Sequence, residues 1–106
     1  MNADLHTPGA KDDHEKHRAA LVLLGFSTAL TAVSWVGTFG SRKYTDNGWK
    51  SVPDGQERYT NALLRHLLAE GRGEFLDKES GLTHAAHAAW NALARLELML
   101  GGGNDR

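Results

Sequence analysis

The stretch RYTNALLRHLLAEGRGEFLDKESGLTHAAHAAWN, residues 58–91, decides the fold, because two helical patterns flank a short polar loop within it. The first pattern carries leucines at helical spacing, and glycines end it. The stripe consists of Leu63, Leu64, Leu67 and Leu68, and the glycines are Gly71 and Gly73. The second pattern is rich in alanine, which permits a close helix approach. The stretch therefore predicts two packed helices.

Polar residues recur at helical spacing in both patterns. His66 and Glu70 are four positions apart, and His84, His87 and Asn91 follow one another at intervals of three and four. Residues so spaced lie over one another on a helix surface. The loop between the helices adds Glu74, Asp77 and Glu79. Arg58 and Arg65 have helical spacing on the first helix as well. The sequence predicts that arginines, imidazoles and carboxylates converge between the two helices, as a site for an anionic ligand that a metal could accompany.

A bound cation is one interpretation of this convergence. The candidate metal ligands are Glu70, Glu74 and Asp77, because Mg²⁺ prefers oxygen donors. The candidate catalytic residues are His66, Glu70, His84 and His87. Imidazole nitrogens also suit Zn, Mn, Ni or Fe, with a carboxylate completing the shell. The alternative is structural: the histidines hydrogen-bond carboxylates, and the acidic residues are solvated at helix ends.

Cationic and aromatic residues supply candidate ligand-binding groups. These are Lys11, Lys16, Arg18, Lys43, Tyr44, Trp49, Arg58 and Arg65, together with Asn91 on the last helix. Arginine binds phosphate through paired hydrogen bonds, and a lysine beside aromatic rings favours phosphate contact with base stacking. The alternatives are ion pairs for the arginines, a loop packed by its own aromatic rings, and a solvated N-terminal arm.

Two further segments complete the expected secondary structure. Residues 19–41 contain no charge and predict a central helix from about Leu21 or Ser27 to about Thr38. This helix is apolar around much of its circumference, so we expect it to be buried. Its length approaches the roughly 20 residues of a membrane span. Its many hydroxyl residues and glycines favour an oligomer interface over stable membrane insertion.

The chain is therefore expected to be all-α, a compact bundle of three main helices completed by oligomerisation. The other two helices are predicted from about Gly55 to Glu70 and from Ser80 or Thr83 to about Leu100, with Asp54 and Glu57 at capping-box spacing. We expect residues 1–17 to form a flexible arm, 18–100 a single helical domain and 101–106 a disordered tail. A homodimer or higher homo-oligomer is expected, because so small a domain cannot bury all this apolar surface.

Composition narrows the classes of function. The chain has 106 residues, 12 basic and 13 acidic side chains and a net charge of −1. That balance argues against a general nucleic-acid binder, which needs a basic excess. The absence of cysteine excludes a disulfide framework and any thiolate site, and fits a reducing cytoplasm.

The order of these residues resembles a phage-associated family, the N-terminal domain of dATP/dGTP diphosphohydrolases. The matching positions are Lys11-Asp12 with Lys16 and Arg18, Gly40 with Lys43-Tyr44, Asn47 with Trp49, Arg58-Tyr59, Leu64-Arg65-His66, Gly73-Glu74, Asp77, Glu79-Ser80-Gly81-Leu82, His84, His87 and Asn91. The resemblance covers about residues 11–100. It implies a helical domain that binds a nucleotide, located in the host cytoplasm if a phage encodes it.

The family is similar to the MazG-like all-α pyrophosphohydrolases, which are also compact helical proteins that bind nucleotides. Those enzymes use Mg²⁺, split a nucleoside triphosphate into monophosphate and pyrophosphate, and assemble as dimers or tetramers. Their Glu-Glu-x-x-Glu and Glu-x-x-Asp helical metal motifs are absent here. Glu70 and Glu74 are four positions apart, but the glycines that end the helix lie between them, so the pair does not form such a motif.

Two functions of different classes follow from the resemblance. The first is a metal-dependent (d)NTP pyrophosphohydrolase using Mg or Mn. The second is a non-catalytic sponge, without a cofactor, that sequesters a host immune nucleotide signal such as a cyclic nucleotide or an ADP-ribose derivative and so acts against host defence. A preorganised carboxylate cluster would favour the first.

Overall fold

The computed structural model describes residues 4–101. Its helices are α1 (Ala19–Gly25), α2 (Ser27–Lys43), α3 (Gly55–Gly71) and α4 (His84–Met99), with a 3₁₀ turn at Gly48–Ser51. The described residues form no strand, only an isolated bridge between Leu76 and Thr83. The predicted all-α class is confirmed. The predicted central helix is longer than expected and is broken at Phe26 into α1 and α2. The described residues therefore form four α-helices, where three were predicted.

Helices α3 and α4 form the packed centre of the protein. Small side chains line their contact, since Ala69, Ala86, Ala88 and Ala94 are the buried apolar residues there. Thr83 caps α4, because its hydroxyl accepts the Ala86 N–H at 3.0 Å. The predicted capping box at the start of α3 is wrong. Asp54 holds the N-cap position in left-handed backbone, φ 55°, and its side chain makes no capping hydrogen bond.

Three of the four leucines of the α3 stripe are exposed, and only Leu63 is half-buried. Leu64, Leu67 and Leu68 are 50%, 45% and 62% exposed, respectively. The face that packs on α4 instead carries buried Ala69 and half-buried His66. The buried alanines of both helices add little bulk to this contact and so allow the helix axes to approach closely. The stripe is left on the surface of the protomer.

Helices α1 and α2 are largely exposed. Their axes are bent by 76° at Phe26, and Val36 is the sole buried residue of the pair. The expectation that the central helix is buried is therefore wrong for a single chain. Gly37 permits a close approach of α2 to α4, since a Cβ there would lie 3.2 Å from Nε1 of Trp90. No single helix of the described part is long and apolar enough to cross a membrane, although the bent pair passes that test of length and composition.

Candidate functional site

The loop between α3 and α4 folds back onto the start of α4. Asp77 N–H donates to the Leu82 carbonyl at 2.7 Å, and His84 N–H donates to the Phe75 carbonyl at 3.0 Å. Gly81 makes the turn possible, because its φ of +75° is unfavourable for residues with a side chain. The loop thereby places its carboxylates beside the imidazoles of both helices.

One hydrogen-bonded chain joins α3, α4 and the loop through His84. Its Nε2 lies 2.6 Å from Oε2 of Glu74, and its Nδ1 lies 2.8 Å from Nδ1 of His66. A carboxylate only accepts hydrogen bonds, so the proton of His84 resides on Nε2. The hydrogen bond to His84 holds the pKa of Glu74 below its usual range. In the neutral ring, Nδ1 of His84 therefore presents a lone pair towards His66.

A second chain joins His87 to the loop through Ser80. The Ser80 hydroxyl lies 2.8 Å from Oδ2 of Asp77 and 2.7 Å from Nε2 of His87, and it accepts the Leu82 N–H at 3.1 Å. A hydroxyl has one proton, which goes to the acceptor-only carboxylate. His87 must then donate its Nε2 proton to Ser80. Its Nε2 is consequently committed and stands 3.7 Å from Asp77.

The two chains lie against each other through stacked imidazoles. The rings of His66 and His87 are 4.5 Å apart between centroids and inclined by 11°. Burial, with repulsion from a neighbouring imidazolium, lowers the pKa of His66, and burial likewise lowers the pKa of His87 despite the nearby Asp77 charge. Burial alone would raise the pKa of Asp77, but hydrogen bonds from Ser80 outweigh it and lower that pKa. Neutral imidazoles beside an ionised carboxylate are therefore favoured at neutral pH.

Three of these residues have the geometry of a cation site. One donor atom each from His66, Asp77 and His84 lies within 4.8 Å of the others. His84 is 4% exposed and the other two are half-buried. Of the predicted metal ligands, Glu74 reaches this cluster through its bond to His84. Glu70 is exposed, and its side chain makes no hydrogen bond or ion pair within residues 4–101.

The predicted phosphate-binding cations lie around the cluster rather than in it. Lys43, at the end of α2, forms an exposed ion pair with Glu79 of the loop at 2.5 Å. That pair raises the pKa of Lys43. Arg58 donates weakly to the Pro53 carbonyl at 3.4 Å, and Arg65 is exposed. Both arginines fall outside the α3 face that carries His66.

The aromatic residues near these cations divide into two environments. Trp49 packs edge-to-face with Tyr59 and Trp90 at 6.2 and 5.6 Å, and its carbonyl accepts the Tyr59 hydroxyl at 2.7 Å. Trp49 thus packs on aromatic rings of α3 and α4, not on rings of its own loop. Tyr44 is 71% exposed, with the Lys43 ammonium 5.3 Å from its ring centroid. Of the two, Tyr44 is the ring open to a ligand.

The remaining predicted ligand-binding residues are separated from the cluster. Asn91 is buried below it on α4 and donates to the His87 carbonyl at 2.8 Å. Lys11, Lys16 and Arg18 are exposed in the segment before α1. Ser80 is the site residue that the spacing argument missed. A serine three positions after an aspartate was its signal, but that pairing is common in ordinary turns.

Comparison with known proteins identifies the family. The family model described as dATP/dGTP diphosphohydrolase, N-terminal, matches residues 6–106. The chain belongs to this family, which confirms the resemblance found in the sequence. No curated protein and no solved structure shows a significant match.

Proposed function

We propose, from membership in the dATP/dGTP diphosphohydrolase N-terminal family, that this chain hydrolyses a purine deoxynucleoside triphosphate. Water adds to the α-phosphorus, the bond to the β-phosphate oxygen breaks, and the products are the deoxynucleoside monophosphate and pyrophosphate. The observation that carries the proposal is the convergence of His66, Asp77, His84 and His87 with Glu74 in one half-buried cluster.

The chemistry of the cluster suits proton transfer. The lowered pKa values of His66 and His87 favour neutral rings at neutral pH, and a neutral imidazole is the form required of a general base or of a metal ligand. A divalent cation, when bound, would polarise the phosphate and orient water. The carboxylates available beside it are Glu74 and Asp77.

Charge around the cluster suits a triphosphate. Lys43 brings an ammonium group to the loop, where its partner Glu79 is exposed and a phosphate can replace it. Arg58 and Arg65 supply exposed guanidinium groups on α3. Arginine favours phosphate because its donors match two phosphate oxygens at once.

Sequestration without turnover is the second candidate. It is favoured by one observation, the commitment of the carboxylates to partners within the protein. Glu74 bonds to His84, Asp77 bonds to Ser80, and Glu70 lies apart. A sponge for a cyclic nucleotide or an ADP-ribose derivative needs donors and a closed pocket rather than a carboxylate cluster.

A second copy of the chain is the partner that we propose for the exposed apolar surface. The protomer exposes 8239 Å² at a mass of 11.6 kDa. A typical monomer of that mass exposes about 5,800 Å². The excess belongs to the exposed segment before α1 as well as to the exposed apolar residues of α1 and α2. Exposed Leu21, Leu24 and Phe26 of the α1–α2 arm supply part of it.

The test is incubation of the purified protein with a panel of dNTPs, NTPs, cyclic dinucleotides and ADP-ribose derivatives, with Mg²⁺ or Mn²⁺. Mass spectrometry follows the free solution and the ligand released by heat. Many molecules of dAMP or dGMP per protomer, matched by pyrophosphate, are expected. Stoichiometric capture of one nucleotide, recovered intact, would overturn hydrolysis and establish sequestration. His14→Gln, in the exposed N-terminal segment, is the matched control for His87→Gln.

A further inference from the structure

We propose that the cluster is a transition-metal site in which Nδ1 of His66, Nδ1 of His84 and a carboxylate oxygen of Asp77 bind one ion such as Zn²⁺, Mn²⁺ or Co²⁺. The inference deepens the proposed function, on which it rests in placing the ion at the hydrolytic site. It replaces the Mg²⁺ set of Glu70, Glu74 and Asp77 expected from the sequence.

The orientation of His84 makes its Nδ1 available to a metal ion. Its Nε2 proton is held by Glu74 at 2.6 Å, so its Nδ1 lone pair points away from Glu74 and towards His66. A carboxylate that fixes the outer nitrogen of a histidine is the usual support of a metal-bound imidazole. Glu74 is thus a positioning residue, and it is not itself among the three donors.

The spacing of the two imidazole nitrogens is close to that of two ligands of one ion. Two imidazole nitrogens on a tetrahedral ion stand about 3.3 Å apart for metal–nitrogen bonds of about 2.0–2.1 Å. The Nδ1 atoms of His66 and His84 are 2.8 Å apart. The Nδ1 proton of His66, which donates to His84 without the ion, moves to Nε2 when the ion binds, and a side-chain opening of about half an ångström then admits the ion. His66 is half-buried on the face of α3, where a small ring rotation provides that movement.

The types of donor atom favour a transition metal over Mg²⁺. Two nitrogens and one oxygen suit Zn²⁺ and its neighbours, whereas Mg²⁺ takes oxygen ligands and keeps several waters. His87 is left out of the set, because its Nε2 proton is committed to Ser80 and it is not among the three residues whose donor atoms all lie within 4.8 Å of one another. Three protein ligands would leave a coordination position for water or a phosphate oxygen, as in catalytic rather than structural zinc sites.

The experiment measures metal binding without nucleotide. Full-length protein stripped with EDTA is titrated with Co²⁺, and the visible absorption of tetrahedral Co²⁺ is recorded; Zn²⁺ is titrated by calorimetry. We expect one ion per protomer, undiminished by a large excess of Mg²⁺. His66→Gln and Asp77→Asn should abolish the Co²⁺ band, and Glu74→Gln should weaken Zn²⁺ binding about 10–100-fold. His14→Gln should bind as the wild type does, and circular dichroism of each stripped variant confirms the fold.

Two results would overturn the site: wild-type protein that binds no Co²⁺, or His66→Gln protein that is folded and binds it normally. Displacement of Co²⁺ by Mg²⁺ would also overturn it, in favour of an oxygen-ligand site. These outcomes are separable from the fate of the proposed function. Hydrolysis supported by Mg²⁺ in protein that binds no Co²⁺ would retain the hydrolase and remove this site, whereas Zn²⁺ binding without any hydrolysis would retain the site and remove the hydrolase.

Discussion

Replacing Ser80 with alanine tests the hydrogen bonds assigned to the Ser80 hydroxyl, which has more partners than any other side-chain atom discussed in the site. The Ser80 hydroxyl joins Asp77, His87 and the Leu82 N–H at 2.8, 2.7 and 3.1 Å. Ser80→Ala removes all three bonds without adding bulk. His87 is only 9% exposed, so its Nε2–H is left without a partner in a place that water reaches poorly.

The expected loss of stability follows from these environments. An unsatisfied buried donor costs about 1–3 kcal/mol, and each ordinary hydrogen bond contributes about 0.5–1.5 kcal/mol net. Asp77 and Leu82 are half-buried, so water replaces part of what they lose. We therefore expect Ser80→Ala to lower the free energy of unfolding by about 2 kcal/mol. For a domain of this size that corresponds to a melting temperature lower by roughly 8–16 °C.

The assay is urea unfolding of EDTA-treated protein, followed by circular dichroism. The matched control is Ser34→Ala, because Ser34 is exposed on α2 and its hydroxyl bonds only to the Leu30 carbonyl, at 2.7 Å. Exposed substitutions of this kind change stability by about 0.5 kcal/mol or less. If Ser80→Ala shifts the urea midpoint no more than Ser34→Ala does, the assignment of His87 Nε2–H as a buried donor to Ser80 is refuted.

Three further predictions test other parts of the protein. Metal-free protein should lose stability as pH falls from about 7 towards 5, because burial lowers the pKa of His66 and His87 below 6.5 and the unfolded chain then binds more protons; a melting temperature constant over that range contradicts this. Lys43→Met should raise KM for the triphosphate while leaving the melting temperature nearly unchanged, since the ion pair is exposed; an unchanged KM, equal to that of Lys50→Met, argues against phosphate contact. Leu24→Glu should shift sedimentation towards the monomer, since Leu24 is 71% exposed, and a wild-type monomer at micromolar concentration would refute the assembly.

Sequence spacing was a good guide to which residues share a face. The intervals between His84, His87 and Asn91 predicted one common surface of α4, and all three are buried there. The loop carboxylates Glu74 and Asp77 do join the histidines, as convergence across the loop predicted. Local periodicity succeeds in such cases because it depends only on helix geometry.

Spacing could not determine which of two faces is buried within the chain. On α3 the leucines and the His66 face are both periodic, and the hydrophobic effect alone favours burying the leucines. The packing against α4 was decided by small residues on the other helix, which no local pattern on α3 records. Glu70 follows the same logic, since it is four positions from His66 yet reaches none of the cluster. The break at Phe26 was not predicted either, because no proline lies near it in the sequence.

A polar face inside and a leucine face outside would connect the site to the assembly that we propose. The imidazoles of His66, His84 and His87 occupy the α3–α4 contact, so the protomer draws little hydrophobic stabilisation from that contact. The exposed leucines of α3 and the α1–α2 arm are the apolar surface that a second copy would bury. In that assembly the contact between chains would add hydrophobic stabilisation, and formation of the oligomer would stabilise the fold that holds the buried imidazoles beside carboxylates.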